Sequence, residues 1–244
     1  MKFLKNLLGA SNDDALIYDT GVDMGQITPR WPIIRCRGDQ AHQIIAKEAQ
    51  NRDHTPIVLG SIRAVEMMYD GTPRDVADIE ARAAKFSFDA YMTQARFEWA
   101  QTDRPKRGPF DPVLSQSDAI TLALWDVARQ EPYQTVHIGL FPTSDATQVS
   151  AHLDCGGWNA FPQAEVHMGL MRRWRDRYGA RIVGHSHDTI TMHVLRPPAT
   201  QEDAMALAEE HYAYCPDIID QGFGTLDGLA AVLINAPTWQ FWWD

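Results

Sequence analysis

Cysteine is scarce in this chain. Its 244 residues hold three, Cys36, Cys155 and Cys215, an odd number at wide spacing. That excludes a disulfide framework and the paired spacing of a zinc ribbon, and it favours a reducing compartment. Basic residues are the second shortage: 22 Lys and Arg stand against 32 Asp and Glu, a formal net charge of -10. A protein that grips a nucleic-acid backbone needs the opposite balance to displace counterions, so nucleic acid is not an expected partner. Acidity serves solubility, and it suits a basic partner where there is one. Long apolar runs are missing too. The stretch Met1–Gly9 is broken by Lys5 and Asn6 and followed by Asn12-Asp13-Asp14, so it is too short for a signal-peptide core or a membrane span and reads as a short amphipathic helix. Repeats and low-complexity tracts are also lacking. The expectation is a cytoplasmic protein without membrane contact.

What is present is ordinary folded composition, 45% hydrophobic and 22% charged, enough for one large domain or two small ones. The fold class expected is α+β. A mixed α/β region occupies residues 1–115 and a second domain residues 116–244, the two being free to form one unit. In the first region Pro32–Cys36 and Thr55–Gly60 read as strands, with a helix from about Asp39 between them. Thr72-Pro73 signals a helix start, and the pattern after it runs to about Trp99, a length at which a break is expected. Residues 101–116, with Arg104-Pro105-Lys106-Arg107-Gly108-Pro109, read as a linker carrying a solvated basic loop. A helix carrying Ile120, Leu124, Val127 and Ala128 opens the second domain.

The second domain has a regular order. Thr135–Phe141 is a strand. A helix from Pro162 carries Val166, Leu170, Trp174 and Tyr178 at spacing four and stops at Gly179. Arg181–Ser186 and Thr189–Leu195 form a hairpin turning at His187-Asp188. Thr200 with Asp203 resembles a capping box for a helix reaching about Tyr212. A helix through Leu226, Leu229, Ala230 and Leu233 precedes a last strand, Thr238–Asp244. The sum is β-α-β-β-α-β, the order of a ferredoxin-like sandwich.

No complete catalytic set emerges. Gly184-His185-Ser186-His187 resembles a metal-binding Gly-His-x-His motif, but its companion motifs are absent. Hairpin register also pairs Ile182 with His193 and puts His193 on the face opposite His185, so no metal or cofactor is expected. Cys215 has Asp217 and Asp220 as neighbours, which oppose a low-pKa thiol. His211 lies one turn before it, and the small buried hydrophobe is the plainer reading. Asp217 and Asp220 are read as acceptors for the backbone of the Gly222–Thr225 turn. Gly156-Gly157-Trp158-Asn159 is a corner whose glycines permit unusual backbone angles, with Trp158 buried and Asn159 capping the next helix. In Trp239–Asp244, alternation sends Trp239, Phe241 and Trp243 to the core and Trp242 to the other face with Gln240 and Asp244. Trp242 is the anomaly.

Gly156-Gly157-Trp158-Asn159 with Pro162, Arg177-Tyr178-Gly179-Ala180, His187-Asp188-Thr189-Ile190, Arg196–Thr200, Tyr212–Ile218, Asp220-Gln221-Gly222 and Phe241-Trp242-Trp243-Asp244 together resemble the DUF4253 family of bacterial proteins. The resemblance is dense from Gly156 to Asp244. It implies no reaction. It turns attention from His185 and His193 to Asp188, Tyr214, Cys215, Asp217, Asp220 and Gln221, which belong to the shared pattern. With Trp158, Asn159 and Trp242 these make up the candidate ligand or partner site. The leading expectation is a non-catalytic binding module that engages a protein partner through the C-terminal domain. The alternative is a small-molecule-binding protein or enzyme with a pocket between the Gly156–Asn159 loop and Tyr214–Gln221.

Overall fold

Strict alternation in the strands gives this protein a sheet with two different faces. The computed structural model describes residues 18–19, 30–68, 73–112, 118–126 and 129–244. The helix expected over Met1–Gly9 lies outside them, as do Thr72, Val127 and Ala128. In chain order the elements are β1 (Tyr18–Asp19), β2 (Ile33–Arg37), α1 (Ala41–Glu48), β3 (Thr55–Gly60), α2 (Ile62–Met68), α3 (Val76–Ala83), α4 (Phe88–Thr102) and α5 (Ala119–Ala123). Then follow β4 (Trp125–Asp126), β5 (Glu131–Pro132), β6 (Thr135–Phe141), α6 (Val149–Leu153), α7 (Ala164–Tyr178), β7 (Arg181–His185) and β8 (Thr189–His193). The chain ends with α8 (Gln201–Tyr214), a π-helical segment (Ile218–Phe223), α9 (Leu226–Leu233) and β9 (Thr238–Trp242). No helix among the described residues is long and apolar enough to cross a membrane.

Seven strands form one mixed sheet in the order β1-β2-β6-β3-β7-β8-β9. Neighbours are antiparallel except β3 and β7, which run parallel. Strands from both sides of residue 115 therefore share one sheet. The expected β-α-β-β-α-β order is present from β6 to β9. Because β3 lies between β6 and β7, however, residues 116–244 do not form a separate ferredoxin-like sheet.

One face carries Ile33, Ile57, Leu59, Ile182, Ile190, Met192, Trp239 and Phe241, all buried with residues of α7, α8 and α9 in the main core. The other carries Ile34, Cys36, Val58, Val136 and Ile138, buried against Ala41, Ile44 and Ile45 of α1. Aromatic rings dominate the first. Trp174 and Phe241 stack with centroids 5.6 Å apart, and Tyr214 meets Phe241 edge-on at 4.9 Å, pairs worth about 0.5–1.5 kcal/mol each beyond area burial. Within this core the buried Glu210 carboxylate accepts from Arg173 Nη2 at 2.7 Å and Trp174 Nε1 at 2.8 Å, so its charge is paired.

The long helix after residue 72 does break. Asp75 caps α3 through Ala77 N at 2.8 Å, and Ser87 restarts the chain as the cap of α4. Thr200 caps α8 by accepting from Asp203 N at 3.2 Å, and Gly179 ends α7 in the left-handed region at φ 64°. The basic loop at 106–107 is not merely solvated. Arg107 binds Asp227 through Nε at 2.6 Å and Nη2 at 2.7 Å, and Leu226 N donates to Lys106 O at 2.9 Å. This ties the segment to the start of α9, where Arg107 draws the Asp227 carboxyl down to about 2.

Candidate ligand cleft

The parallel pair β3 and β7 fixes where the cleft lies. Open α/β sheets bind ligands outside the carboxyl ends of parallel strands, and here those ends are Val58–Gly60 and Gly184–His185. A cleft of about 770 Å3 opens beside them on the second face of the sheet, a size suited to a small organic molecule.

Its floor is the second face of β8 and β9. Thr191 pairs with Gln240 and Thr189 with Trp242 across these strands, and cross-strand partners share a face. Thr191 is only 3% exposed, and it lines the cleft together with Gln240 and Trp242. Neither the Thr191 hydroxyl nor the Gln240 carboxamide has a hydrogen-bond partner among the described residues. Neither group is fully buried, so both meet solvent in the cleft and are open to a ligand there. Gly184 lets a wall approach this floor, since a Cβ there would lie 2.6 Å from Ala123 Cβ of α5.

The hairpin differs from expectation in one respect. Its turn holds the expected pairing of His185 with Ile190, and Ser186 N donates to Thr189 O at 2.9 Å. A bulge between Ile182 and Gly184 then shifts the register by one, so Ile182 pairs with Met192 and Arg181, not Ile182, pairs with His193. The extra residue keeps Ile182 on the core face.

The rim is polar. Ser186 Oγ donates to Asp188 Oδ1 at 2.6 Å and accepts from Thr189 N at 3.0 Å, which holds the turn rigid. His187 Nε2 lies 3.2 Å from Asp188 Oδ2. Opposite, Tyr133 lines the cleft with Asp126. Burial first, then the charges of Asp126 and Asp188, push the Tyr133 hydroxyl pKa up and keep it protonated. Trp125, 37% exposed, stands at the mouth.

Of the nine candidate-site residues, Asp188, Gln221 and Trp242 line this cleft, as do His185 and His187 of the Gly-His-x-His motif. The others sit behind it. Tyr214 is fully buried, and its hydroxyl lies 2.5 Å from His167 Nδ1. Cys215 Sγ donates to Trp242 O at 2.9 Å, and burial pushes its pKa up to about 12, so it is a structural thiol. His211 forms no pair with it: both ring nitrogens lack partners, and the ring packs on Trp239 and Phe241 at 4.7 Å. Asp217 and Asp220 do not serve the turn backbone. Asp217 accepts from Gln221 Nε2 at 3.2 Å and Asp244 N at 3.0 Å, and Asp220 takes Arg104 and the Tyr212 hydroxyl. Thr225 caps α9 instead, accepting from Gly228 N at 3.1 Å.

The Gly156–Asn159 corner is tight as expected. Gly156 has φ 122°, and a Cβ there would fall 1.8 Å from Pro162 O. Trp158, however, is 38% exposed, resting edge-on against Phe161. Asn159 does not cap α7: Gln163 occupies the cap position, and Asn159 Nδ2 donates to Asp244 O at 2.9 Å. The corner and the 214–221 segment thus meet at Asp244, and the cleft lies beyond that junction with none of Gly156–Asn159 in its lining.

Two histidines are locked in the core beside the cleft. His185 Nδ1 lies 2.7 Å from Ser186 O, a pure acceptor, so Nδ1 carries the proton and Nε2 is a bare lone pair. Burial lowers its pKa to about 4. Burial keeps the Tyr214 hydroxyl protonated, and it pairs with His167 Nδ1 at 2.5 Å. No group of three or more His, Cys, Asp or Glu among the described residues is placed to hold a metal ion.

Residues missed in the sequence were Thr191, Gln240, Tyr133 and Asp126. The first two had a signal, since each stands between core residues in an alternating strand (Ile190-Thr191-Met192 and Trp239-Gln240-Phe241). Tyr133 and Asp126 had none, because only the tertiary fold carries them to the cleft.

Residues 137–244 match the family model described as a domain of unknown function, DUF4253. No curated protein matches the chain, and no solved structure does.

Proposed function

We propose, for a chain whose residues 137–244 belong to the DUF4253 family, that its function is to bind a small organic molecule in the cleft at the carboxyl ends of β3 and β7. One observation carries this reading: the unpartnered Thr191 hydroxyl and Gln240 carboxamide lie side by side on the cleft floor, next to Trp242. Both groups keep their hydrogen-bonding capacity free for a molecule that enters the cleft. The indole of Trp242 supplies apolar area beside them. Ligand-observed NMR of a metabolite library on the purified chain tests the reading. Hits that vanish with Gln240→Ala support it; hits retained by that variant place binding elsewhere.

A protein partner is the second reading. Its support is the exposed Met67 and Trp125, which line the cleft, and the net charge of -10, which suits a basic surface. Trp242 supports it less, because its ring packs towards Gly222 in the floor instead of standing clear of the surface. Pull-down from lysate with wild type and Trp242→Ala compares the two; a specific partner lost with the variant would favour this second reading.

A further inference from the structure

We infer that the ligand of the cleft is an organic cation, an amine or guanidinium compound, recognised by Asp188 and Asp126; this rests on the reading of the cleft as a small-molecule site. The cleft itself points to a ligand through Thr191, a residue only 3% exposed that lines it and whose hydroxyl has no hydrogen-bond partner among the described residues. Its charge then selects the class. Asp126, Asp188 and Asp244 line the space, with Arg63 the one lysine or arginine among them. Arg63 is exposed on α2.

The carboxylates keep capacity to accept. Asp188 Oδ1 takes Ser186 Oγ at 2.6 Å and its Oδ2 lies 3.2 Å from His187 Nε2, and Asp126 Oδ1 takes Arg129 N at 3.1 Å, while its nearest cation, Arg129 Nε, is 3.9 Å from Oδ2. An ionised carboxylate has about four acceptor directions, so each still has room to accept. A phosphate or carboxylate ligand would be repelled by them, whereas a cation is attracted, and Trp125 and Trp242 offer rings for cation–π contact. Among the described residues the carboxylates join no His or Cys in a three-ligand metal group, which assigns the charge to an organic group.

The test is isothermal titration of the full chain with three probes: agmatine for the cation, glucose for a neutral polyol and AMP for an anion. Circular dichroism melts confirm that each variant folds. Agmatine is expected to bind, to bind about tenfold or more weakly with Asp188→Asn, and to weaken as salt rises. Glucose or AMP binding that is lost with Gln240→Ala, without agmatine binding, overturns the cationic class and leaves the cleft as a ligand site. Agmatine bound equally by the Asp126→Asn/Asp188→Asn double variant also overturns it. Binding of none of the three overturns both this inference and the reading it rests on.

Discussion

The two faces of β8 and β9 are made from the same ten residues and do opposite work. On one face Ile190, Met192, Trp239 and Phe241 are buried under α7, α8 and α9. On the other, Thr189, Thr191, Gln240 and Trp242 line a cleft. The core face spends its side chains on ring packing; its charged Glu210 is paired, and its histidines are held neutral by burial even where ring nitrogens lack partners, as in His211. The cleft face keeps polar atoms that meet solvent. Period-two alternation therefore separates stability from recognition residue by residue, and substitutions at adjacent positions should have unlike consequences.

Acid should break the core face with the largest effect. Burial lowers the pKa of His185 to about 4 and of His211 to about 3, and drives that of His167 down as well. Above about pH 6.5 all three are neutral in both the folded and unfolded chain, and they contribute no pH dependence. Below it the unfolded chain takes up protons that the folded chain refuses. Stability then falls with pH, by up to about 1.4 kcal/mol per unit for each histidine, until the folded pKa is reached. Urea denaturation at pH 7 and pH 5 measures this. His137, His152 and His193 are lowered as well, so His211→Phe, with a ring that suits the pocket of Trp174, Trp239 and Phe241, should remove a part of the slope and leave the rest. An unchanged slope would mean that His211 is not the neutral buried group described.

Adjacent positions in β9 give the next largest contrast. Phe241→Ala empties a site held by Trp174, Tyr214 and His211 and should cost about 3–5 kcal/mol. Trp242→Ala, on the half-buried cleft face, should cost less than about 2 kcal/mol while abolishing small-molecule binding. Thermal melts and titrations on both variants check the pair. Equal destabilisation would show that the cleft floor is core after all.

Much of this arrangement was legible beforehand because it is local. Alternation alone separated Trp239, Phe241 and Trp243 from Trp242, Gly179 and Thr200 marked helix ends, and the acidic neighbours of Cys215 pointed to an inert thiol. What could not be read is what depends on chain segments meeting. The insertion of β3 between β6 and β7 has no local signature, and it is this insertion that creates the parallel pair and sets the cleft. The bulge between Ile182 and Gly184 lies where Ala123 closes on Gly184, a contact across some sixty positions of sequence. Asp244 gathers Asn159 and Asp217 onto itself, so two segments that look like pocket walls in sequence are instead a fastening behind the pocket.

The smallest expected effect on stability is also the sharpest test of the comparison. Thr191→Val is close to isosteric and removes a hydroxyl that has no protein partner. A buried hydroxyl that held the fold together would cost about 1 kcal/mol or more when removed. One that merely waits for a ligand should cost less than about 0.5 kcal/mol, because no protein hydrogen bond is lost. The same change should weaken the binding of a cleft ligand by several-fold, the worth of one neutral hydrogen bond. Denaturation and titration on this one variant then separate the two faces at the level of a single oxygen atom: a clear loss of stability with unaltered binding would assign Thr191 to the core.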